Sequence, residues 1–268
     1  MTRCIVTGAA RGIGRAIALR LARDAAACGG HARIALLDQH GAELEPVATL
    51  VRQAGGTALA IGGDLCDAAL PARACAEAVS AFGGLDAVVC NAGFAAPGPL
   101  ATYGTDTWDR VFAVNTRAPF LLAQAARPAL QAARGSVLFV ASISGTHATP
   151  PLGAYSASKA ATLMLMRQMA AEWGPDGIRV NALSPGLTLT PGTAAAYQDP
   201  QARRQREARV PLRRLAEADD MAGVAAFLIG PDAAYVTGAE LVVDGGLSHT
   251  LMGSLPMGGW QRPAATAG

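Results

Sequence analysis

Along the chain, short and almost wholly apolar runs alternate with longer stretches rich in alanine and leucine. Seven of the short runs predict strands: 3–7 (RCIVT), 33–38 (RIALLD), 57–62 (TALAIG), 85–90 (LDAVVC), 136–141 (SVLFVA), 178–183 (IRVNAL) and 240–244 (ELVVD). Runs that are apolar throughout, rather than alternating, are typical of strands covered on both faces. Most gaps between the first six are long enough for a crossover helix. The pattern therefore predicts an α/β fold, a doubly wound, seven-stranded parallel sheet with helices on both faces. No proline-rich linker, composition break or repeat divides the chain, so one domain is expected over 1–250, followed by a tail, 251–268.

Two segments, 107–132 and 155–173, predict helices that are apolar on more than one face. In the second, Leu163, Met164, Leu165, Met166 and Met169 leave little surface for water. Such helices lie inside a large protein or inside an oligomer, and a homo-oligomer is the expectation here. The tail is rich in Leu, Met and Trp, and either docks on a neighbouring subunit or has no fixed place.

Composition narrows the partners. With 268 residues, 51% hydrophobic, the chain can bury a sizeable core. A net charge of +2, with 16% charged residues, gives no reason to expect nucleic acid or an anionic membrane. The cluster RRQREAR at 203–209 has no interleaved aromatic ring and predicts a solvated helix face. The five cysteines, Cys4, Cys28, Cys66, Cys75 and Cys90, show no metal-ligand spacing, so no metal site is expected. Cys4 and Cys90 sit in apolar runs as small hydrophobes. A reducing compartment, the cytoplasm, is expected. The N-terminus enters its first strand without a leader pattern, and no apolar run approaches the roughly 20 residues of a membrane span.

The candidate chemistry begins directly after the first strand, in TGAARGIG, with Gly8, Arg11, Gly12, Ile13 and Gly14 at the start of a helical pattern. A strand, a glycine turn and a helix N-terminus together make an anion site, because free N–H groups face a ligand that absent side chains allow close. The layout suits a dinucleotide diphosphate, although the spacing G-x-x-x-G-x-G departs from the common G-x-G-x-x-G and ordinary strand-to-helix turns also carry glycines. Asp38 closes the second strand, where a carboxylate accepts from ribose hydroxyls and repels a 2′-phosphate; this favours NAD over NADP. Arg11 is the residue that argues for NADP, and Asp38 could instead cap the following helix.

The other end of the argument is a single lysine. Of 22 basic residues only Lys159 is not arginine, and it stands in YSASK four residues after Tyr155. On a helix the two share a face. A free phenol titrates near about 10, and a nearby ammonium stabilises the phenolate. Lysine also offers rotatable donors to a ribose hydroxyl, which a guanidinium with its permanent proton does less well. Ser142 ends the fifth strand and Asn91, Ala92 and Gly93 end the fourth, at the sheet edge where ligands bind in open α/β folds. Asn115 lies in the helix that follows.

With these motifs in order (TGAARGIG, Asp64–Leu65, NAG, VNT, Ser142 thirteen residues before Tyr155, YSASK and PGLTLT), the chain resembles a classical short-chain dehydrogenase/reductase from about Thr2 to about Ser248. The resemblance implies a Rossmann-type fold, often tetrameric through the two apolar helices. It implies Tyr155 as acid/base, Lys159 as ribose ligand lowering the tyrosine pKa, Ser142 orienting the substrate oxygen, and Asn115 supporting a water-linked proton path. Asp64 and Leu65 would contact adenine, Asn91–Gly93 the ribose side, and Pro185, Gly186, Thr188 and Thr190 the carboxamide and diphosphate. The chemistry implied is hydride transfer to or from a carbon bearing the reacting oxygen.

The substrate is expected to be a small alcohol or ketone. Ser144 and His147, after Ser142, and a lid at 190–214 with Pro191 and Gly192 at its bend are expected to select it. NAD points to oxidation of a secondary alcohol, sugar or polyol. An NADPH-dependent 3-oxoacyl or ketone reductase is the alternative, and a non-catalytic nicotinamide sensor is a third reading.

Overall fold

The computed structural model describes residues 2–251; the expected docking of the tail concerns residues that, from 252 on, lie outside these. Seven strands form one parallel sheet: β1 (Thr2–Thr7), β2 (Ala32–Asp38), β3 (Thr57–Gly62), β4 (Ala87–Cys90), β5 (Ser136–Val140), β6 (Arg179–Pro185) and β7 (Glu240–Val243). Their order across the sheet is β3-β2-β1-β4-β5-β6-β7, so the chain winds outward one way from β1 and then returns to start again at β4. Every neighbouring pair is parallel, with Cys4 opposite both Ile34 and Ala87. The sequence-based strands agree to within two residues at nearly every end.

The apolar runs resolve into two alternating sets. Ile5, Leu37, Val88 and Phe139 point into one core layer. Cys4, Val6, Leu36, Val89 and Leu138 point into the other. A period of two, with both sets buried, is why these strands look uniformly hydrophobic. The first layer is closed by α3 (Leu70–Phe82), α5 (Ala118–Ala133) and α6 (Tyr155–Trp173). The second is closed by α1 (Gly12–Ala27), α2 (Gly41–Gln53) and α8 (Ala218–Ile229). Cys4 and Cys90 are buried, and burial raises both thiols' pKa values, that of Cys90 to about 12. They behave as the small hydrophobes expected.

Three connections matter for the site. Helix α4 (Thr105–Phe112) does not simply run into α5; between them Ala113–Arg117 form a π turn that carries Asn115. Such turns shift the register of a helix and are common at functional sites. Residues 190–214 contain a one-turn 3₁₀ segment, Ala194–Tyr197, and α7 (Pro200–Arg209), which buries none of its side chains. The arginine cluster lies on α7 as a solvated face, with Arg203 paired to Glu207 at 2.9 Å. Helix α1 runs on to Ala27, so only a short turn, 28–31, separates it from β2.

Candidate active site

The carboxyl ends of β1 to β6 open onto one cleft of about 640 Å³. It sits where the strand order reverses between β1 and β4, the position at which helices on either side of an α/β sheet diverge and leave a crevice. Gly8, Asp64, Asn91, Ser142 and Gly186 each follow the end of a different strand and reach it, as does Asp38, the last residue of β2.

On the β1–β2 side the backbone makes the recognition surface. Gly8 and Gly12 adopt φ of +66° and +56°, conformations that side chains strain. A Cβ on Gly14 would lie 2.2 Å from the Gly8 carbonyl oxygen, so this glycine lets α1 approach the loop and does not itself line the cleft. The first helical bond of α1 runs from the Arg15 N–H to the Arg11 carbonyl, which leaves the N–H groups of Gly12, Ile13 and Gly14 ahead of the helix ladder. Asp38 accepts from the Ala10 N–H at 3.1 Å and the His40 N–H at 3.0 Å. The carboxylate is thus fixed between the glycine loop and the start of α2 while it borders the cleft. The alternative reading of Asp38 as a helix cap is not realised: the N-cap of α2 is His40, without a side-chain cap bond, and Asp38 instead closes a tight turn onto the His40 N–H. Arg11 lines the same wall and is exposed.

Asn91 has a more structural role than its motif suggests. Its side-chain amide donates to the Thr7 carbonyl at 2.9 Å and the Gly8 carbonyl at 3.2 Å, and Thr7 Oγ1 accepts from the N–H groups of Asn91 and Ala92. The end of β4 is thereby tied to the glycine loop. Asn115 is buried behind the cleft: its amide clamps the Phe94 backbone from both sides, accepting at 2.8 Å and donating at 2.9 Å, and donates to Ser158 Oγ. Its main-chain carbonyl accepts from Thr162 Oγ1 at 2.9 Å.

Tyr155 and Lys159 do share a face of α6 and both line the cleft with Ser142. Ser142 caps the turn Ile143–Gly145 by accepting from the Ser144 N–H at 3.1 Å, which leaves its own hydrogen to donate. The Lys159 ammonium is buried, donates to the Val140 carbonyl at 2.7 Å, and lies 5.7 Å from the centroid of the Tyr155 ring. Burial pulls its pKa down to about 8, against a small opposing pull from Cys90. Tyr155 goes the other way. Burial pushes the phenol pKa up, and the Ser142 hydroxyl only partly offsets this. The expected depression by Lys159 does not outweigh this: burial dominates the Tyr155 phenol, and Lys159 is not among the groups that shift it.

Of the remaining expected residues, Gly12, Ile13, Leu65, Ala92, Gly93, Pro185, Thr188, Thr190 and Ser144 border the cleft. His147 does not. It is exposed, its Nδ1 within 2.9 Å of Thr146 Oγ1, held there by the tight turn after Ser142. Phe94 and Leu152 also form the wall and were not anticipated, because they lie in loops without a local pattern; Leu187, inside PGLTLT, and Tyr197, inside 190–214, join them. The parallel sheet, the glycine loop and the Ser142–Tyr155–Lys159 cluster at its edge define a dinucleotide-type oxidoreductase site. The glycines give close backbone approach, Asp38 supplies a hydroxyl acceptor, and Lys159 supplies a donor deep in the cleft, so the residues fit a nicotinamide dinucleotide.

Comparison with known proteins agrees. A family profile described as enoyl-(acyl carrier protein) reductase matches residues 8–248. The protein named inactive 2-(S)-hydroxypropyl-CoM dehydrogenase 2, of Xanthobacter autotrophicus, is 37% identical over 233 residues, 85% of this chain and 99% of its own. L-Rhamnose 1-dehydrogenase (NAD(P)(+)) of Azotobacter vinelandii is 38% identical over 246 residues, 91% of this chain and 95% of its own. A crystal structure from Beutenbergia cavernae, provisionally assigned as an NAD(P)-dependent gluconate 5-dehydrogenase and holding NADP at low occupancy, has a TM-score of 0.85 at 35% identity. It covers 92% of this chain and 97% of that one. The chain belongs to the short-chain dehydrogenase/reductase family, and is an oxidoreductase acting on CH–OH groups.

Proposed function

We propose that the protein is an NAD-dependent dehydrogenase of a secondary alcohol, sugar or polyol, with Tyr155 as its acid/base. The observation that carries this is the meeting of Ser142, Tyr155 and Lys159 in one cleft whose opposite wall presents Asp38. When bound, the nicotinamide supplies the hydride acceptor. The chain's own residues do the rest. The Tyr155 hydroxyl group takes the alcohol proton in oxidation and returns it in reduction. Ser142 donates to the same substrate oxygen and keeps it beside the phenol. Lys159, buried and donor-only, holds a ribose hydroxyl. The leading N–H groups of α1 receive the diphosphate, and Asp38 accepts from the adenosine ribose. Asp64 and Leu65 flank the adenine, and Thr188 and Thr190 close the nicotinamide end. Asn115 positions the Phe94 backbone and α6.

A raised Tyr155 pKa sets the direction of pH dependence. Oxidation needs the phenolate, so its rate rises through the alkaline range, while reduction by the protonated phenol is favoured at lower pH. The relatives named for rhamnose and gluconate support a polyhydroxylated substrate. A second reading, an NADPH-dependent ketone reductase, is favoured by one observation: Arg11 is exposed on the cofactor wall and could meet a 2′-phosphate. The test is turnover of a panel of secondary alcohols, polyols and sugars, read by the absorbance of reduced nicotinamide, with NAD and NADP in parallel. Turnover with NAD that is lost in Tyr155→Phe supports the proposal; turnover with NADP alone refutes the Asp38 argument. A nicotinamide sensor would bind cofactor and turn nothing over.

The assembly is proposed to be a homo-oligomer, with a tetramer favoured. Trp108, Phe120 and Met164 are exposed on α4, α5 and α6, an apolar surface that a second copy of the same helices would cover. All five cysteines are free, which supports the cytoplasm as the compartment. Among the described residues no helix is long and apolar enough to cross a membrane, and no cluster suits a metal ion.

A further inference from the structure

Tyr197 is the only buried residue of the short 3₁₀ segment that leads to α7, and it is only 8% exposed although its neighbours in sequence are in solvent. It lines the cleft together with Thr193 and Leu187. The group packed on it is the guanidinium of Arg206, whose Cζ lies 5.2 Å from the ring centroid.

The hydrogen-bonding inventory of this pair is incomplete in a specific way. A guanidinium has donors and no acceptor, so Arg206 can give a hydrogen to the phenol oxygen but cannot take one from it. Among the described residues no carbonyl, carboxylate or hydroxyl accepts from Tyr197 either, and its hydroxyl is not sealed from the cleft. A phenol that is only 8% exposed and lines the cleft thus keeps an unspent O–H donor. Burial raises its pKa with Arg206 only partly opposing, so the donor stays protonated at working pH. A cation against the ring and oxygen strengthens the phenol as a donor. The cleft that Tyr197 lines takes apolar wall from Phe94, Leu152 and Leu187 and hydroxyls from Thr188, Thr190 and Thr193, so a placed donor there can sort substrates by a matching acceptor.

We propose that the Tyr197 hydroxyl, polarised by Arg206, donates a hydrogen bond to a second oxygen of the substrate, one distinct from the oxygen that reacts at Tyr155. This rests on the dehydrogenase reading and narrows its substrate class to compounds with at least two oxygens, such as diols, sugars and hydroxyketones. Because Tyr197 stands between the bend at Pro191–Gly192 and α7, the same contact would tie the outer helix to the occupied cleft.

The experiment compares matched pairs with the purified full-length protein and NAD: sec-butanol with the butane vicinal diol, and cyclohexanol with the cyclohexane vicinal diol. The wild-type protein is expected to favour the diol in kcat/KM by about tenfold or more, a preference that Tyr197→Phe erases by lowering the diol value alone. Arg206→Gln, a change on an exposed residue, is expected to lose part of the preference through a higher KM for the diol, with KM for NAD unchanged. Equal losses on both members of each pair, or no loss in either variant, would overturn the role of Tyr197 while leaving the dehydrogenase reading intact. Wild-type protein that turns over no alcohol, diol or sugar would overturn the dehydrogenase reading and this role with it. If Tyr197→Phe fails to fold, the Arg206→Gln comparison decides between these outcomes.

Discussion

Replacing Lys159 by Met should reveal the energetic cost of the site. Methionine has nearly the same length and flexibility, so packing against Gly93 and the Val140 strand end changes little, while the buried charge disappears. Lys159 titrates in the folded protein at about 8 instead of its ordinary 10.5. Below pH 8 it is charged in both states, and the folded state carries the full penalty of a poorly solvated ammonium. Above pH 8 the folded protein releases the proton while the unfolded chain keeps it up to 10.5, so wild-type stability gains with rising pH. At about 1.4 kcal/mol per pKa unit, this gain amounts to about 2 kcal/mol between pH 7 and roughly pH 9.5. The Met variant has no such group. Its stability relative to wild type should therefore fall by about 2 kcal/mol over that range, even though common pH effects move both proteins. At pH 7 the variant is expected to equal or exceed the wild type, because the lost bond to the Val140 carbonyl, about 1 kcal/mol, is smaller than the relieved penalty. Urea unfolding followed by tryptophan fluorescence at the two pH values measures the difference. A stability difference that stays flat to within about 0.5 kcal/mol would mean that Lys159 is not desolvated as described, and the argument for a charge held at a cost for function would fall.

Other expectations follow from the same geometry. Ser142→Ala should shift the ascending limb of the oxidation pH profile upward, since the serine is what offsets the raised Tyr155 pKa; a downward shift would contradict this, and a stopped kinetic profile from neutral to alkaline pH measures it. Asp38→Ser with Gln39→Arg should raise KM for NAD by about tenfold or more and bring NADP into use, which steady-state assays with both nucleotides would show. Gly14→Ala should lower stability by about 1–3 kcal/mol and weaken cofactor binding together, because its Cβ would press on the Gly8 carbonyl; thermal melts with and without NAD separate the two effects. Thr162→Val should raise KM for NAD while Thr162→Ser restores it, because Thr162 holds the Asn115 carbonyl of the π turn.

How much of this was legible in the sequence depended on range. The strands were, because burial on both faces writes itself into consecutive residues, and Val88 to Cys90 or Val137 to Val140 need no partner to be recognised. The glycine loop, Asp38 and the Tyr155–Lys159 pair were local patterns on predictable elements. The π turn was not, since Ala113–Arg117 continue a helical pattern on either side and the extra residue per turn leaves no local mark. Tyr197 was hidden for a different reason: its burial is decided by Arg206 and by the cleft wall, neither of which its neighbours in sequence announce. The upward pull of burial on the Tyr155 pKa was not legible, because charge proximity is visible in a motif and desolvation is not.

The pairing of β1 with β4 has a consequence for how the protein comes into being. Arg3 is bonded to Asp86 across 83 positions of chain, and Cys4 lies opposite Ala87. While the chain is still emerging from the ribosome, β1, β2 and β3 can join early, but one edge of β1 stays bare until β4 has been made. An uncovered apolar edge of that kind invites pairing with another chain. Translation that stalls before residue 87 should therefore leave an aggregation-prone product, and the glycine loop should gain its footing only once Asn91 arrives to tie it down.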